Sequence, residues 1–328
     1  MRSTLAKTPT FEPGSATRLP LCLTIGDPTG IGPEIAVKFL SDTFSGESLI
    51  VIGDIANLEK TAGWLKRELP KHAIQYIDVG GENKLPGRIA YEAIAEAVRL
   101  MAEGRACALV TGPISKENLF AAGFEYPGHT EILEALANQH FSVAAPYQSD
   151  MLFVYNNFRM LLLTRHVALN AVSHALTQQG TRQSLESLVD FLKTQAGITK
   201  PRIAVMGVNP HAGEIGGTEE QIVLEPVIAA INASGKAECV GPLATDALFR
   251  NFDVNRLSYD AYVAAYHDQG LIPFKMVAGY EAVNVTIGLP FVRTSVSHGT
   301  APDIAGKGVA DPQSLAAAFE LAGRLVSA

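Results

Sequence analysis

The sequence predicts an α/β protein of two lobes. Short apolar runs that read as strands alternate with amphipathic stretches that read as helices. Its 328 residues, 47% of them apolar, supply core enough for two domains. The stretch from Tyr266 to Asp311 holds two histidines, an arginine, four acidic residues and six glycines between short apolar runs. Loops of that mixture, set between strands, are how α/β proteins assemble a site for a small anionic ligand.

In chain order, residues 1–18 are rich in Thr, Ser, Pro and Gly and read as a mobile tail. LCLTIGD (21–27) is a strand, followed by a Gly/Pro turn and by PEIAVKFLS, a helix with Pro33 in its first turn. SLIVIGD (48–54) and ALVTGPIS (108–115) are further strands, the second leading into a helix at KENLFAAG. MLFVYNN and RMLLLTRH (151–166) read as a hairpin with Asn156 and Asn157 at the turn. SLESLVDFLKTQ is a helix and RIAVMGVNP (202–210) a strand; DAYVAAYHDQG leads into the strand VNVTIGL, and SLAAAFELAG is a C-terminal helix. The alternation predicts a largely parallel sheet covered by helices, and the hairpin predicts a mixed sheet mid-chain.

The net charge of -7, with 18% charged residues, argues against nucleic acid or an anionic membrane surface as a partner. No apolar run approaches the roughly 18 residues of a membrane span. No apolar segment follows Arg2 and Lys7 to make a secretory signal. Cys22, Cys107 and Cys239 are dispersed without a CxxC pair, which predicts reduced thiols in a cytoplasmic protein. Cys22 and Cys107 read as small hydrophobes in strands.

Four constellations carry candidate chemistry. Gly26–Glu34 (GDPTGIGPE) follows a strand and opens a helix, where backbone N–H groups favour an anion. Its glycine spacing is not GxGxxG and Pro33 removes a donor, so a tight strand-to-helix turn explains it equally well. His129, His166, His211 and His267 each fall at a strand end or in a loop. Three neutral imidazoles can hold one divalent ion with positions open for substrate, although their wide spacing matches no local metal signature and a loop histidine bonded to backbone is the ordinary alternative. His72, His140 and His174 lie in polar surroundings where that alternative dominates. Lys275, Asn284 and Arg293 recur through apolar segments, IPFKMV and LPFVRTS, where isolated charges are rarely placed without a partner. They suit a phosphate or carboxylate clamp; solvated loop charges are the alternative. Finally, HGTAPDIAGKG (298–308) combines glycines, a hydroxyl, Asp303 and a lysine, a composition that suits an adenosine and ribose pocket or an ordered surface loop. No GxSxG, Walker loop or Cys–His pairing supports covalent catalysis.

The strings GDPTGIGPE, TGPISK, YPGHTE, LLLTRH, GVNPHAGE, GPLATD, YHDQGLIPFK, VNVTIGLPFVRTS and HGTAPDIAGKG resemble the 4-hydroxythreonine-4-phosphate dehydrogenase (PdxA) family of vitamin B6 biosynthesis, in the family's order and over nearly the whole chain. HGTAPDIAGKG also resembles the NAD loop of isocitrate and isopropylmalate dehydrogenases.

The resemblance implies a two-lobed α/β/α subunit of isocitrate/isopropylmalate dehydrogenase type, a homodimer with the active site in the interlobe cleft and the metal site near the dimer interface. It implies one lobe of 19–127 plus about 250–328 that binds NAD, and a second of about 128–249 with metal, substrate and dimer contacts. Carried over by motif, His166, His211 and His267 hold a divalent ion (zinc, magnesium or cobalt). His129, Thr130, Lys275, Asn284 and Arg293 contact a small phosphorylated hydroxy acid. His298, Gly299, Thr300 and Asp303 bind NAD, with NADP the other nicotinamide option. Asp246 and His129 are the candidates for proton transfer.

The implied reaction is oxidation of 4-phosphooxy-L-threonine at C3, then decarboxylation to 3-amino-2-oxopropyl phosphate. Relatives within the family oxidise 4-phosphoerythronate or 4-phosphothreonate, and one branch takes a cyclic diol dicarboxylate. That branch lacks the family asparagine and arginine, which this chain keeps as Asn284 and Arg293. GEIGGTEE after NPHAGE is shorter than the usual form, a departure beside His211. A non-catalytic binding protein on the same fold, and an isocitrate-type enzyme with an aspartate-held metal, are the competing classes.

Overall fold

The structure, a computed structural model, describes residues 19–46, 48–142 and 146–327. The expected N-terminal tail, 1–18, lies outside the described residues. The chain divides into two compact units. One takes in the described residues up to Ser149 together with Leu289–Ser327, and the other is Asp150–Gly288. The break points fall at Ser149 and Gly288 rather than near 127 and 250.

The N-terminal part of the first unit runs β1 (Leu21–Thr24), α1 (Gly32–Lys38), β2 (Leu49–Gly53), α2 (Ile55–Leu65), β3 (Ile74–Asp78), α3 (Pro86–Ala102), β4 (Ala108–Thr111), α4 (Lys116–Ala121) and α5 (His129–His140). β1 pairs in parallel register with β2 on one side and β4 on the other, Thr24 opposite both Ile52 and Thr111. Buried on both faces, these strands are continuous apolar runs. α3 begins with Pro86 in its first turn and buries Ile94, Ala97, Val98 and Met101 against Cys22, Ile52 and Leu109. α5 packs on α3, which is why 128–149 belongs to this unit.

Beyond their last paired residues, β1 and β4 approach each other too closely for side chains. A Cβ on Gly26, where φ is +87°, would lie 2.2 Å from the Pro113 carbonyl oxygen; one on Gly112 would lie 2.3 Å from that of Ile25. The loops bearing Asp27 and Ile114 therefore leave the sheet side by side at its topological switch point, the usual ligand position of a doubly wound sheet.

The second unit runs β5 (Asp150–Tyr155), β6 (Phe158–Leu162), α6 (Val172–Ala175), α7 (Gln178–Thr194), β7 (Arg202–Met206), α8 (Glu225–Ala233), β8 (Glu238–Leu243), α9 (Thr245–Phe249), β9 (Ala261–Ala264), α10 (His267–Ala278) and β10 (Val283–Ile287). Its strands lie in the order β10-β5-β6-β9-β7-β8. The β10–β5 and β5–β6 pairs are antiparallel and the rest parallel. This is the mixed sheet that the hairpin foretold, with Asn156 at φ +51° in its turn. β9 and β10 are laddered into this sheet, so 250–288 belongs here. The core is aromatic, with Phe158 packed on Phe252, Tyr262 and Phe274.

YHDQGLIPFK, expected to be loop, is helical. Pro273 sits inside α10 and reads in sequence as a breaker. Burial of Leu271, Phe274 and Ala278 on one face, packed against β6 and β9, outweighs its lost hydrogen bond.

The chain then returns to the first unit with β11 (Val292–Val296) and α11 (Gln313–Leu325). β11 lies parallel to β4 and completes an all-parallel order of β3-β2-β1-β4-β11. Asn284 thus lies on the strand expected at VNVTIGL, and Arg293, for which a loop charge was the alternative, lies within a strand as well.

The three cysteines are thiols, and burial pushes those of Cys22 and Cys239 upward, Cys239 to about 11. Among the described residues no helix is long and apolar enough to cross a membrane.

Two glycine substitutions test the close strand crossing. Gly112→Ala destabilises the protein by about 1–3 kcal/mol or more, because its Cβ meets backbone. Gly63→Ala, in α2 with nothing within 4 Å of a built Cβ, stabilises it by about 0.5–1 kcal/mol. Urea unfolding midpoints check both signs.

Candidate active site

In the first unit the predicted anion residues converge. Arg293, 1% exposed, extends from β11 and donates from Nη2 to Thr111 Oγ1 at 2.7 Å. Thr111 Oγ1 donates in turn to Ser295 Oγ at 2.9 Å, and Ser295 Oγ to the Thr111 carbonyl at 3.1 Å. Burial pushes the guanidinium down to about 9, which leaves it charged at neutral pH.

His129 stands at the first position of α5, after Gly128, and no side chain caps that helix start. The uncapped N–H groups favour an anion. Desolvation first, and the nearby Arg293 charge second, hold the His129 imidazole well below its usual range, against a hydrogen bond to the Gly112 backbone. That bond raises the pKa, so His129 is the donor and the Gly112 carbonyl the acceptor. Nε2 is shielded and has no partner, which makes Nδ1 the donor. The ring is therefore neutral, with the Nε2 lone pair free to accept a hydrogen bond. Thr130 follows, buried.

Beside this corner lies Asp27, fully buried. Its Oδ1 accepts from Thr29 N (2.8 Å) and Thr29 Oγ1 (2.6 Å), and its Oδ2 accepts from Asn118 Nδ2 (2.7 Å). Glu34, from the same motif, clamps the 298–308 loop. It accepts from Gly308 N at 3.2 Å and Ala310 N at 2.8 Å, while Lys38, paired with it at 2.9 Å, donates to the carbonyls of Gly308 and Ala310. Ile31 N donates to the Thr300 carbonyl at 2.9 Å. GDPTGIGPE thus holds HGTAPDIAGKG in place. Within that loop His298 Nδ1 sits 2.9 Å from the Gly299 carbonyl, a Cβ on Gly299 would meet nothing within 4 Å, and Asp303 is exposed. An ordered, open glycine loop with an accessible carboxylate fits a ribose diol.

In the second unit, His166 follows β6 and His267 opens α10, their ring centroids 5.9 Å apart. They line a cavity of about 350 Å³ with Asp268. The Asp268 carboxylate lies 2.7 Å from His267 Nδ1, the carboxylate–imidazole arrangement that orients a metal-ligating histidine. The pair therefore offers donor types that suit a divalent ion. His211 does not complete the group: among the described residues no three His, Cys, Asp or Glu side chains gather as a metal site. His211 and Ala212 both take left-handed backbone, each at φ +55°, a strained conformation for residues with side chains.

Two residues that the sequence reading passed over secure these segments. Buried Glu220 accepts from Val208 N and Asn209 N, both at 2.7 Å, and from Asn209 Nδ2 at 2.9 Å, bracing the loop that carries His211. Gln269 accepts from Ala265 N at 2.6 Å and donates to the Gly207 carbonyl (2.6 Å) and Thr245 Oγ1 (2.9 Å). It ties together the ends of β9 and β7 and the start of α9, where exposed Asp246 lies. Their only sequence signal is position: YHDQG and GTEE flank the histidine motifs.

The remaining clamp residues separate. Lys275 is exposed on α10 between exposed Ile272 and Met276, so its apolar sequence context does not bury it. Asn284 lies in β10 opposite Phe153, half-buried, with Oδ1 shielded and unpartnered. A shielded amide oxygen of this kind awaits a donor.

A doubly wound parallel unit with a buried arginine corner and a mixed-sheet unit bearing paired histidines define a class of two-unit α/β proteins. Within that class, the chain belongs to the PdxA family, whose model, described as pyridoxal phosphate biosynthetic protein PdxA, matches residues 40–322. It is 41% identical to a 4-hydroxythreonine-4-phosphate dehydrogenase of Methylorubrum populi over 93% of this chain and 94% of that protein. A Bradyrhizobium diazoefficiens relative, provisionally named D-threonate 4-phosphate dehydrogenase, is 39% identical over 94% and 96% of the two chains. The crystal structure of 4-hydroxythreonine-4-phosphate dehydrogenase from Klebsiella pneumoniae superposes with a TM-score of 0.82 at 34% identity, covering 96% of this chain and all of that one.

The neutral His129 has a stability signature. Its folded pKa is depressed, so the folded state resists protonation. The contribution is fully present above about 6.5 and is lost as pH falls below it, by at most about 1.4 kcal/mol per pH unit. Urea unfolding from pH 7.5 to 5 shows this loss, and His129→Asn removes part of the slope. Equal slopes for the two proteins contradict the assignment. Gln269→Glu, which keeps the acceptor but loses both donors, costs about 1–3 kcal/mol on the same assay.

Proposed function

We propose that this protein oxidises 4-phosphooxy-L-threonine at C3 with NAD, followed by decarboxylation to 3-amino-2-oxopropyl phosphate in pyridoxal phosphate synthesis. The observation that carries the reading is the buried Arg293 beside neutral His129 and the uncapped start of α5, an anion-binding corner in a chain whose relatives are named for phosphorylated hydroxy acids.

Each group has a role that its environment supports. Arg293 forks onto a phosphate or carboxylate, and the N–H groups of His129 and Thr130 add neutral donors. Lys275, long and exposed, supplies a mobile point charge for an anionic substrate group. Asn284 Oδ1 accepts from the C2 substituent. The C3 hydroxyl proton passes to His129 Nε2 or to Asp246, the two candidate acceptors. His166 and His267, and His211 as the resemblance implies, would hold a divalent ion, zinc, magnesium or cobalt, which would supply Lewis acidity to the bound substrate. The 298–308 loop, with Asp303 for the ribose diol, would hold NAD or NADP, which would supply the hydride acceptor. Exposed Leu169, Ile272, Met276 and Tyr280 in the second unit support a homodimer. Reduced cysteines fit the cytoplasm.

A second reading is oxidation of 4-phosphothreonate or 4-phosphoerythronate, favoured by the provisionally named relative at 39% identity. The substrates differ at C2, ammonium in one and hydroxyl in the others. Asn284 Oδ1 accepts from either, so this contact does not separate them.

Purified protein is assayed for NADH formation with each of the three acids, with and without chelator. Turnover with 4-phosphooxy-L-threonine at about tenfold or greater advantage in kcat/KM supports the first reading, and the reverse order supports the second. Arg293→Gln lowers kcat/KM by about a hundredfold or more with any of them. Activity untouched by that change contradicts the anion corner.

A further inference from the structure

We propose that Arg165 is a second anion-binding residue, presented on the wall of the cavity that His166 and His267 line, where it takes a carboxylate or phosphate oxygen of the substrate. Neither the family motifs nor the spacing of charges in the sequence assigns it a role.

The backbone beneath Arg165 is rigid. After β6, Leu163 N donates to the Ala264 carbonyl at 2.9 Å, and Thr164 donates twice to that of Ala265, from N at 3.1 Å and from Oγ1 at 2.7 Å. The side chain that follows is half-buried and lines the 350 Å³ cavity. Its Nη1 is shielded from solvent and has no hydrogen-bond acceptor. Asp268 is the one carboxylate among the described residues lining that cavity, and it is engaged by His267 at 2.7 Å. Leu169 and Val172 make part of the wall apolar, which strengthens any charge–charge contact inside.

A structural arginine turns its donors to carbonyls or carboxylates, and a solvated one keeps them in water. Arg165 Nη1 does neither. A cationic donor without an acceptor, in a cavity of small-molecule size, marks the position of an oxyanion from outside the chain. The substrates of the proposed reaction carry two oxyanions, a carboxylate and a phosphate. Arg165 accounts for one of them.

The identity of the anion rests on the dehydrogenase reading, but the binding does not, and the experiment separates the two. Inorganic phosphate and malonate are titrated into the full-length parent protein, Arg165→Gln and Arg165→Lys by calorimetry. KM and kcat are measured with 4-phosphooxy-L-threonine and D-threonate 4-phosphate. Arg165→Gln is expected to weaken one probe and to raise KM about tenfold or more while kcat moves less, with Arg165→Lys recovering most of the loss. Loss of phosphate binding assigns the phosphate, and loss of malonate binding the carboxylate. Probe affinities within about twofold of the parent overturn the proposal, even if the variant's oligomeric state changes, since an interface role then explains the residue. If the parent binds both probes but oxidises neither acid, the functional reading fails while the Arg165 assignment stands. Circular dichroism confirms folding, and Arg165→Lys carries the test if the glutamine variant does not fold.

Discussion

A guanidinium removed from water is the constraint around which the first unit is organised. Arg293 lies within the buried strand β11 at 1% exposure, where taking a charge out of water costs several kcal/mol. Thr111 turns its hydroxyl toward it and is held in turn by Ser295. His129 stays neutral beside it, its proton committed to the Gly112 carbonyl. These contacts position the cation, and the uncapped start of α5 brings further backbone N–H donors to the same unit.

That arrangement depends on the crossing of two loops. Gly26 and Gly112 let β1 and β4 end in contact, and Asp27 then binds Thr29 of its own loop and Asn118 of α4. Glu34 and Lys38 extend the same scaffold to the 308–310 segment. The second unit uses the same device without a buried cation. Glu220 braces the loop that carries His211, and Gln269 ties the ends of β7 and β9 to the start of α9, which bears Asp246.

Much of this was legible in the chain. β1, β2, β4, the β5–β6 hairpin and α11 follow from apolar runs and turn residues, because local burial demands agree with local propensity there. α10 was not legible, since Pro273 opposes a helix locally and only packing of Leu271 and Phe274 against β6 and β9 decides for it. Lys275 misled for the related reason that apolar neighbours in sequence are not neighbours in space on a helix. Asp27, Glu34, Glu220 and Gln269 sit inside motifs, yet their roles lie in partners up to 276 residues away along the chain.

The sequence by itself determined the α/β class, the hairpin at the centre of the chain, and the residue types offered for an anion, a divalent ion and a nucleotide, because those follow from periodicity and side-chain chemistry. Only the tertiary structure decided that Arg293 is buried and His129 neutral. It also brought His166 and His267 together without His211 and left Arg165 Nη1 without an acceptor. Burial and hydrogen bonding between distant segments set charge states and unmet donors, and no local pattern encodes them.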